Sequence, residues 1–311
     1  MSLDVTVVIP VLNQERTLEA CLRSLLRQTY PKDRFEVVIV DNNSSDRTRE
    51  IIRAFPFRYA HEPQRSSYAA RNRGVSLARG RVVAFMDSDC EADPRWLEEG
   101  VGALERAGVD LLAGRIDIVA SPIPNLFEIY DSFKYLDQRR SLRDAGYAVT
   151  ANFFSRRDVL ESLGRFDGNL VSGGDRELCL RAREQGLRIA YEPGATVKHG
   201  ARSTLRAILA KNERIGYGLG QQLRRRPSQI VSALPMLLFM VPRRRFFRDL
   251  FRRKPPCTRF CVLRLFLLDW LAKQYLVLGA IRAAISDSSR TQPPVASAEP
   301  STAENGDLAR T

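Results

Sequence analysis

Three short, mostly apolar runs, each broken off by a polar cluster, constrain the fold of this 311-residue chain more than any other feature. They are Val5–Pro10, Phe35–Val40 and Arg81–Met86. The clusters that follow them are Pro10–Glu15, Asp41-Asn42-Asn43-Ser44-Ser45-Asp46 and Asp87-Ser88-Asp89. Helix-length segments lie between and beyond them: Glu15–Arg27, with Leu18, Leu22, Leu25 and Leu26 at helical spacing, then Arg47–Phe55, Tyr68–Arg79 and Trp96–Ala107. Asp110–Val119 reads as a further strand. Strands that are apolar without alternation are buried on both faces, which predicts an α/β fold with a mostly parallel sheet flanked by helices. Ligands bind such sheets at the carboxyl edge of the strands, where all three polar clusters fall. A chain of this length can build one large α/β domain and an appendage without disulfide staples.

The net charge of +13 is regional. Residues 202–264 carry sixteen Lys/Arg against Glu213 and Asp249, so the remainder is close to neutral. The five cysteines, Cys21, Cys90, Cys179, Cys257 and Cys261, are odd in number and form no CxxC pair. That pattern favours free thiols in a reducing compartment and gives no zinc signature. The amino terminus enters a strand at once, with no basic region or cleavage site, so a secretory signal is not expected.

Asp87 and Asp89 stand two apart at a strand end, where both can reach one divalent cation that in turn bridges diphosphate oxygens. An isolated DxD is equally at home in an ordinary acidic loop. Asp41 ends the second strand on the same edge and could accept a hydrogen bond from a base or ribose, or could simply cap a turn. His199, one of two histidines, stands after the expected last strand as a metal contact or as a packed side chain; His61 has no such placement.

The order and spacing of five motifs make the pattern specific. Val5-Thr6-Val7-Val8-Ile9-Pro10-Val11-Leu12-Asn13-Gln14-Glu15, Val38-Ile39-Val40-Asp41 with its polar cluster, Ala69-Ala70-Arg71-Asn72-Arg73-Gly74, Phe85-Met86-Asp87-Ser88-Asp89 and the stretch from Gly164-Arg165-Phe166-Asp167 to Gly174-Asp175-Arg176-Glu177 resemble the catalytic domain of glycosyltransferase family 2. The resemblance covers roughly residues 3–200 and implies a GT-A fold, a Rossmann-like mixed sheet with nucleotide- and acceptor-binding halves. It implies an inverting transfer from a UDP-, GDP- or dTDP-sugar. Pro10, Asn13, Glu15 and Asp41 would hold the nucleoside, with Arg71 near the base or diphosphate. Asp87 and Asp89 match the metal and diphosphate motif, Asp89 as direct ligand of Mn²⁺ or Mg²⁺ and His199 as a further contact. Asp175 matches the general base; its other reading is an N-cap of the helix Arg176–Gln185. Family members commonly carry Glu-Asp where this chain has Gly174-Asp175, which puts acceptor binding or the tuning of Asp175 in question. No QxxRW signature is present, which argues against a processive polymerase.

Beyond Arg202 the character changes. Leu205–Leu223 reads as helical, with glycines at 216, 218 and 220. Ile230–Val241 is an apolar run between Arg224–Arg226 and Arg243–Arg245, and Phe260–Ile281 is a second apolar helix interrupted by Arg264, Asp269 and Lys273. Neither is a clean span, because the first is too short and the second carries charges. Apolar stretches flanked by arginines suit a helix lying in the headgroup layer of an anionic membrane; the plainer reading packs these helices on the main domain. The expected organisation is a catalytic domain over 1–222, a basic amphipathic helical membrane-associating region over 223–285, and a disordered tail over 286–311. The expected location is the cytoplasmic side of the cell membrane, peripheral or monotopic, with a glycan or lipid-linked saccharide of the cell envelope as acceptor.

Three other readings compete with this one. A sugar nucleotidylyltransferase needs a glycine-rich basic loop after the first strand, and Pro10-Val11-Leu12-Asn13 is not one. A nucleic-acid binder would interleave aromatic and basic residues on strands, whereas here the basic residues sit among leucines at helical spacing, so no nucleic acid is expected. The third is a catalytically inactive membrane scaffold of the same fold.

Overall fold

The computed structural model describes residues 3–225 and 259–285. Eight strands form one sheet: β1 (Val5–Val11), β2 (Phe35–Asp41), β3 (Arg58–His61), β4 (Val82–Met86), β5 (Cys90–Ala92), β6 (Leu111–Val119), β7 (Asn152–Arg156) and β8 (Ile189–Gly200). Their spatial order is β3-β2-β1-β4-β7-β6-β8-β5. The half that runs β3-β2-β1-β4 is parallel, as the apolar runs predict. β7 is antiparallel to both β4 and β6, β8 is parallel to β6, and β5 is antiparallel to β8. The sheet is therefore mixed, in agreement with the expected α/β architecture.

Ten helices accompany it among the described residues: α1 (Leu18–Leu26), α2 (Thr48–Arg53), α3 (Ser67–Leu77), α4 (Trp96–Arg106), α5 (Leu126–Lys134), α6 (Gln138–Ala145), α7 (Arg157–Ser162), α8 (Gly174–Glu184), α9 (Leu205–Arg225) and α10 (Arg259–Ile285). Side chains alternate across a strand, so Val5, Val7, Ile9 and Val11 of β1 meet Leu18, Leu22 and Leu25 of α1 and Trp96, Leu97 and Leu104 of α4 in one core layer. Val8 faces the other way, into a layer with Tyr68 and Val75 of α3, Leu160 of α7 and Leu178 of α8. Trp96 is fully buried and its Nε1–H donates to Asn152 Oδ1 at 2.8 Å, so the indole loses no hydrogen bond on burial.

α9 and α10 pair closely, and α5 joins them through Tyr130, Ile208, Leu265, Leu268 and Ala272. Asp269 of α10 is fully buried and accepts from Lys134 Nζ at 2.6 Å and Tyr130 Oη at 2.9 Å, and pairs with Lys273 at 3.0 Å. The charged interruption of the apolar helix thus ties α10 to α5. α9 runs unbroken through the boundary expected at 222/223, and α10, which packs against it, lies wholly beyond that position. The apolar run Ile230–Val241, the arginines at 226 and 243–245, and the tail from 286 lie outside the described residues.

Gly216 makes the α9–α10 approach possible: a Cβ there would lie 1.8 Å from the Leu276 carbonyl oxygen, a backbone atom that cannot step aside. Helix propensity alone favours Ala over Gly by about 1 kcal/mol. Gly216→Ala is nevertheless expected to destabilise the protein, by roughly 1–3 kcal/mol for overpacking of this kind. Gly102→Ala in α4, where the added Cβ meets only the movable tip of Arg106, should not lower the melting temperature. Thermal unfolding of the two variants checks the sign of each.

Candidate active site

The carboxyl edge of the parallel half is built by loops that lock onto one another. Val11 and Asp41 are in register at the ends of β1 and β2. Asn13 and Asn43 hold φ of 51° and 72°, the left-handed region that asparagine tolerates better than most residues. Asn13 N–H donates to Ser44 Oγ at 3.0 Å and Ser45 N–H returns to Asn13 Oδ1 at 2.8 Å. Glu15 N–H donates to Asp46 at 3.1 Å, and Glu15 Oε2 accepts from Arg47 N–H at 3.2 Å. Asn13 and Glu15 therefore act here as staples between the two loops. Pro10 is buried within β1. Asp41 is fully buried: Oδ1 accepts from Ser44 N–H at 2.9 Å, and Oδ2 accepts from Arg49 Nε at 2.6 Å and Tyr59 Oη at 3.4 Å. Asp41 thus organises the turn, one of its two expected roles. His61 bonds Asn43 Oδ1 through Nε2 at 3.1 Å, a structural contact as expected.

Asp87 follows β4 on the same edge. Arg71, buried on α3, donates from Nη2 to Asp87 Oδ1 at 2.5 Å and from Nη1 to the Ser67 carbonyl at 3.2 Å, while its Nε has no partner. The guanidinium stands 5.6 Å from the Tyr68 ring centroid, and Tyr68 Oη donates to Asp175 Oδ1 at 3.5 Å. Tyr68 and Arg71, one turn apart on α3, thus join Asp87 and Asp175 from other parts of the chain in one connected wall. Burial pushes the Asp175 carboxyl above its ordinary value; Arg71 opposes the shift and the neighbouring Asp87 charge adds to it. Asp175 does not cap its helix. The helix starts at Gly174, with Gly173 at φ 78° as its cap, and Asp175 lies in the first turn, accepting from Arg176 N–H at 2.8 Å. A Cβ at Gly174 would lie 2.9 Å from the Tyr68 ring, so the glycine that replaces the family's usual acid makes room for Tyr68.

Asp89 meets His199. Sheet pairing of β5 with β8 sets Cys90 opposite His199, which lies inside the last strand and not after it. Asp89 Oδ2 is 3.4 Å from His199 Nε2. His199 Nδ1 is 2.7 Å from the Gly200 carbonyl, which can only accept, so Nδ1 carries a proton. In neutral His199 the Nε2 lone pair then faces a carboxylate, and the two acceptors need a shared proton or a cation between them. A ring N–H fixed on a backbone carbonyl is also how metal-bound histidines are oriented. Burial raises the proton affinity of Asp89, but His199, Arg202 and Lys211 outweigh it and hold the carboxyl below its ordinary value. Among the described residues no three of His, Cys, Asp and Glu converge as a complete cage. An oxygen–nitrogen pair of this kind fits Mg²⁺ or Mn²⁺, which fill remaining positions with water and substrate phosphate.

Several residues at this site gave no motif in the sequence. Tyr68 reads as a helix residue until its ring is seen between Arg71 and Asp175. Asp131 of α5 is fully buried and accepts from Arg202 N–H at 3.1 Å and Nη1 at 3.3 Å, with Lys211 Nζ at 3.8 Å. Arg202, Lys211 and Arg214 were legible only as part of a basic region. In the structure Arg202 and Lys211 lie within electrostatic reach of Asp89, and Arg214 within reach of both Asp87 and Asp89.

Comparison with known proteins identifies the family and the fold. The model of glycosyl transferase family 2 matches residues 6–164. Glycosyltransferase AglE of Haloferax volcanii is 34% identical over 281 residues, which cover 86% of this chain and 92% of that protein. The pre-mycofactocin glycosyltransferase of Mycobacterium tuberculosis is 32% identical over 219 residues, 67% of this chain and 45% of that one. Among solved structures, the mannosyltransferase PcManGT of Pyrobaculum calidifontis, in complex with GDP-Man and Mn²⁺, superposes with a TM-score of 0.63 at 19% identity, covering 92% of this chain and 88% of that one. Its likeness establishes the GT-A fold. With the matching family model, the near full-length relative and the carboxylates gathered at one sheet edge, this chain belongs to glycosyltransferase family 2 and is a transferase that takes its sugar from a nucleotide donor.

Proposed function

We propose that the protein is an inverting, metal-dependent glycosyltransferase that moves one sugar from a UDP-, GDP- or dTDP-sugar to a hydroxyl of a lipid-linked or surface-glycan acceptor. The observation that carries this reading is the wall in which Asp175 joins Asp87 through Tyr68 and Arg71. The interlocked loops at Pro10, Asn13, Glu15 and Asp41 form the nucleoside end. Arg71 and Asp87 lie beside the diphosphate. Asp175 takes the proton of the acceptor hydroxyl as its oxygen attacks the anomeric carbon from the face opposite the leaving diphosphate. Burial, by raising its proton affinity, suits it to that task. Asp89 and His199, with Asp87 nearby, would hold Mn²⁺ or Mg²⁺, which when bound supplies positive charge beside the leaving diphosphate. The Mn²⁺ in the Pyrobaculum mannosyltransferase complex supports this choice of cation.

Thermal unfolding with Mn²⁺ and each of UDP-, GDP- and dTDP-sugars tests the assignment. One donor class is expected to raise the melting temperature, and only with the cation. A protein indifferent to all three has been misassigned.

The reading extends to a membrane surface. No described helix is long and apolar enough to cross a bilayer. α10, however, leaves Leu263, Leu267, Trp270, Leu278, Ile281 and Ile285 exposed. Their spacing of three, four, seven or eight residues places them on one helical stripe. The chain between α9 and α10 adds eight Lys/Arg and a single acid, Asp249, over residues 226–258. An apolar stripe beside so basic a segment complements an anionic lipid surface. One relative, from Methanococcus voltae, is named for a dolichyl-phosphate-linked acceptor. The chain has two tryptophans, and Trp96 is fully buried, so Trp270, 43% exposed, reports on the stripe. Brominated anionic vesicles should quench Trp270 and zwitterionic ones should not, and Leu267→Asp with Ile281→Asp should abolish the effect. Self-association that shields Trp270 equally with or without vesicles would sink the lipid reading.

A further inference from the structure

Lys211 is a buried charge near the site with only partial compensation. Its side chain is 8% exposed, and Nζ has no hydrogen-bond acceptor. It lies 3.7 Å from the Tyr135 ring centroid and 3.8 Å from Asp131, a carboxylate already engaged twice by Arg202. Burial and the nearby Arg202 charge push its ammonium well below the ordinary lysine value. One turn further along α9 stands Arg214, exposed to water, within reach of Asp87 and Asp89 and without an ion-pair partner among the described residues. Of these three cations, Arg202 and Lys211 share Asp131, and Arg214 has no paired carboxylate of its own among the described residues. The Asp87 and Asp89 charges offset them only while those carboxylates hold no cation.

We infer that Arg202, Lys211 and Arg214 form a phosphate-binding subsite on the α5–α9 wall of the cleft, contributed by α9 and the segment just before it, outside the span matched by the family model. This rests on the nucleotide-sugar reading of the site. A divalent ion at Asp89 and His199 would cancel the carboxylates that now face the trio, and an oxyanion would replace them. Its phosphate comes either from the donor diphosphate or from a phosphorylated acceptor. Arginine and lysine suit it differently: the two guanidiniums can grip paired oxygens, and Lys211 acts as a point charge from behind. The wall is held at the cleft by backbone contact, because a Cβ at Gly218 of α9 would meet the Ser172 carbonyl at 2.2 Å, three residues before Asp175.

Binding measured by calorimetry tests this without turnover. With Mn²⁺ present, UDP, GDP and dTDP are compared with UMP, GMP and dTMP on the full chain, its Arg214→Ala and Arg214→Lys variants and Lys211→Met. Arg214 is exposed, so its replacement spares the fold even if Lys211→Met does not. If the donor diphosphate occupies the subsite, Arg214→Ala loses on the order of ten- to hundredfold in affinity for the diphosphate that binds wild type. Its monophosphate affinity is unchanged, and Arg214→Lys recovers part of the loss. If the acceptor supplies the phosphate, nucleoside diphosphate affinity holds, and inorganic phosphate binding to the nucleotide-saturated protein is what disappears. Variants that match wild type in both measurements overturn the subsite alone. A wild-type chain that binds no nucleoside diphosphate overturns the donor reading and the subsite with it.

Discussion

Asp175→Asn is expected to bind the nucleotide donor nearly as well as wild type and to lose transfer by about 10²–10⁴-fold, the usual contribution of a positioned general base. Asparagine keeps the shape and can still accept from Arg176 N–H and Tyr68 Oη, but it cannot take a proton. The pH dependence gives an independent check. Burial and the Asp87 charge set the Asp175 pKa above the ordinary carboxylate value. Wild-type transfer should therefore fall as pH drops through that raised value, where the carboxylate becomes protonated and the base is lost. In Asp175→Asn this limb should vanish from whatever residual activity remains. The sign for stability is opposite: a carboxylate whose folded-state pKa is raised opposes folding once ionised, so the neutral isostere should unfold no lower than wild type near neutral pH. Transfer that survived in Asp175→Asn with its pH profile intact would move the base elsewhere. A loss of transfer together with a fall in melting temperature would point to a structural role instead.

The second large effect is expected at Asp89. Asp89→Ala should lose at least about a hundredfold in transfer, since a cation stabilising the departing charge contributes several kcal/mol. It should also lose the Mn²⁺-dependent part of donor-induced thermal stabilisation, a readout that needs no turnover. Removing this carboxylate strips the histidine Nε2 of its partner and leaves Asp131 as the one carboxylate paired with Arg202 and Lys211. Nucleotide binding without metal should then survive or tighten, because the cations remain. This combination separates an active enzyme from an inert scaffold of the same fold, for which Asp89→Ala would change nothing but local charge. Full Mn²⁺-dependent stabilisation in the variant would remove Asp89 from the metal site.

The departure at Gly174 shows how a sequence pattern can be read too narrowly. Against the family's usual Glu-Asp, the glycine looks like a lost acid. The structure shows a steric reason: the Tyr68 ring occupies the space a side chain would need, and that ring carries the link from Arg71 to Asp175.

What could be read along the chain was whatever depends on local order: the buried runs of β1, β2 and β4, the helices between them, and the acids at 41, 87 and 89 that end or follow strands on one edge. Periodicity and strand ends are short-range properties, and they set which side of the sheet receives a ligand. Long-range pairing was not encoded in any local signal. The short strand β5 owes its existence to β8, and that pairing, more than a hundred residues apart, is what sets His199 against Asp89. Likewise, a basic stretch has no local mark that separates a solvated arginine from one aimed at a cleft. Asp131 on α5 draws Arg202 and Lys211 inward, and glycines on α9 admit the backbone of its neighbours closely enough to hold them there. Charges at such sites take their meaning from partners distant in sequence, because electrostatic interaction follows separation in space.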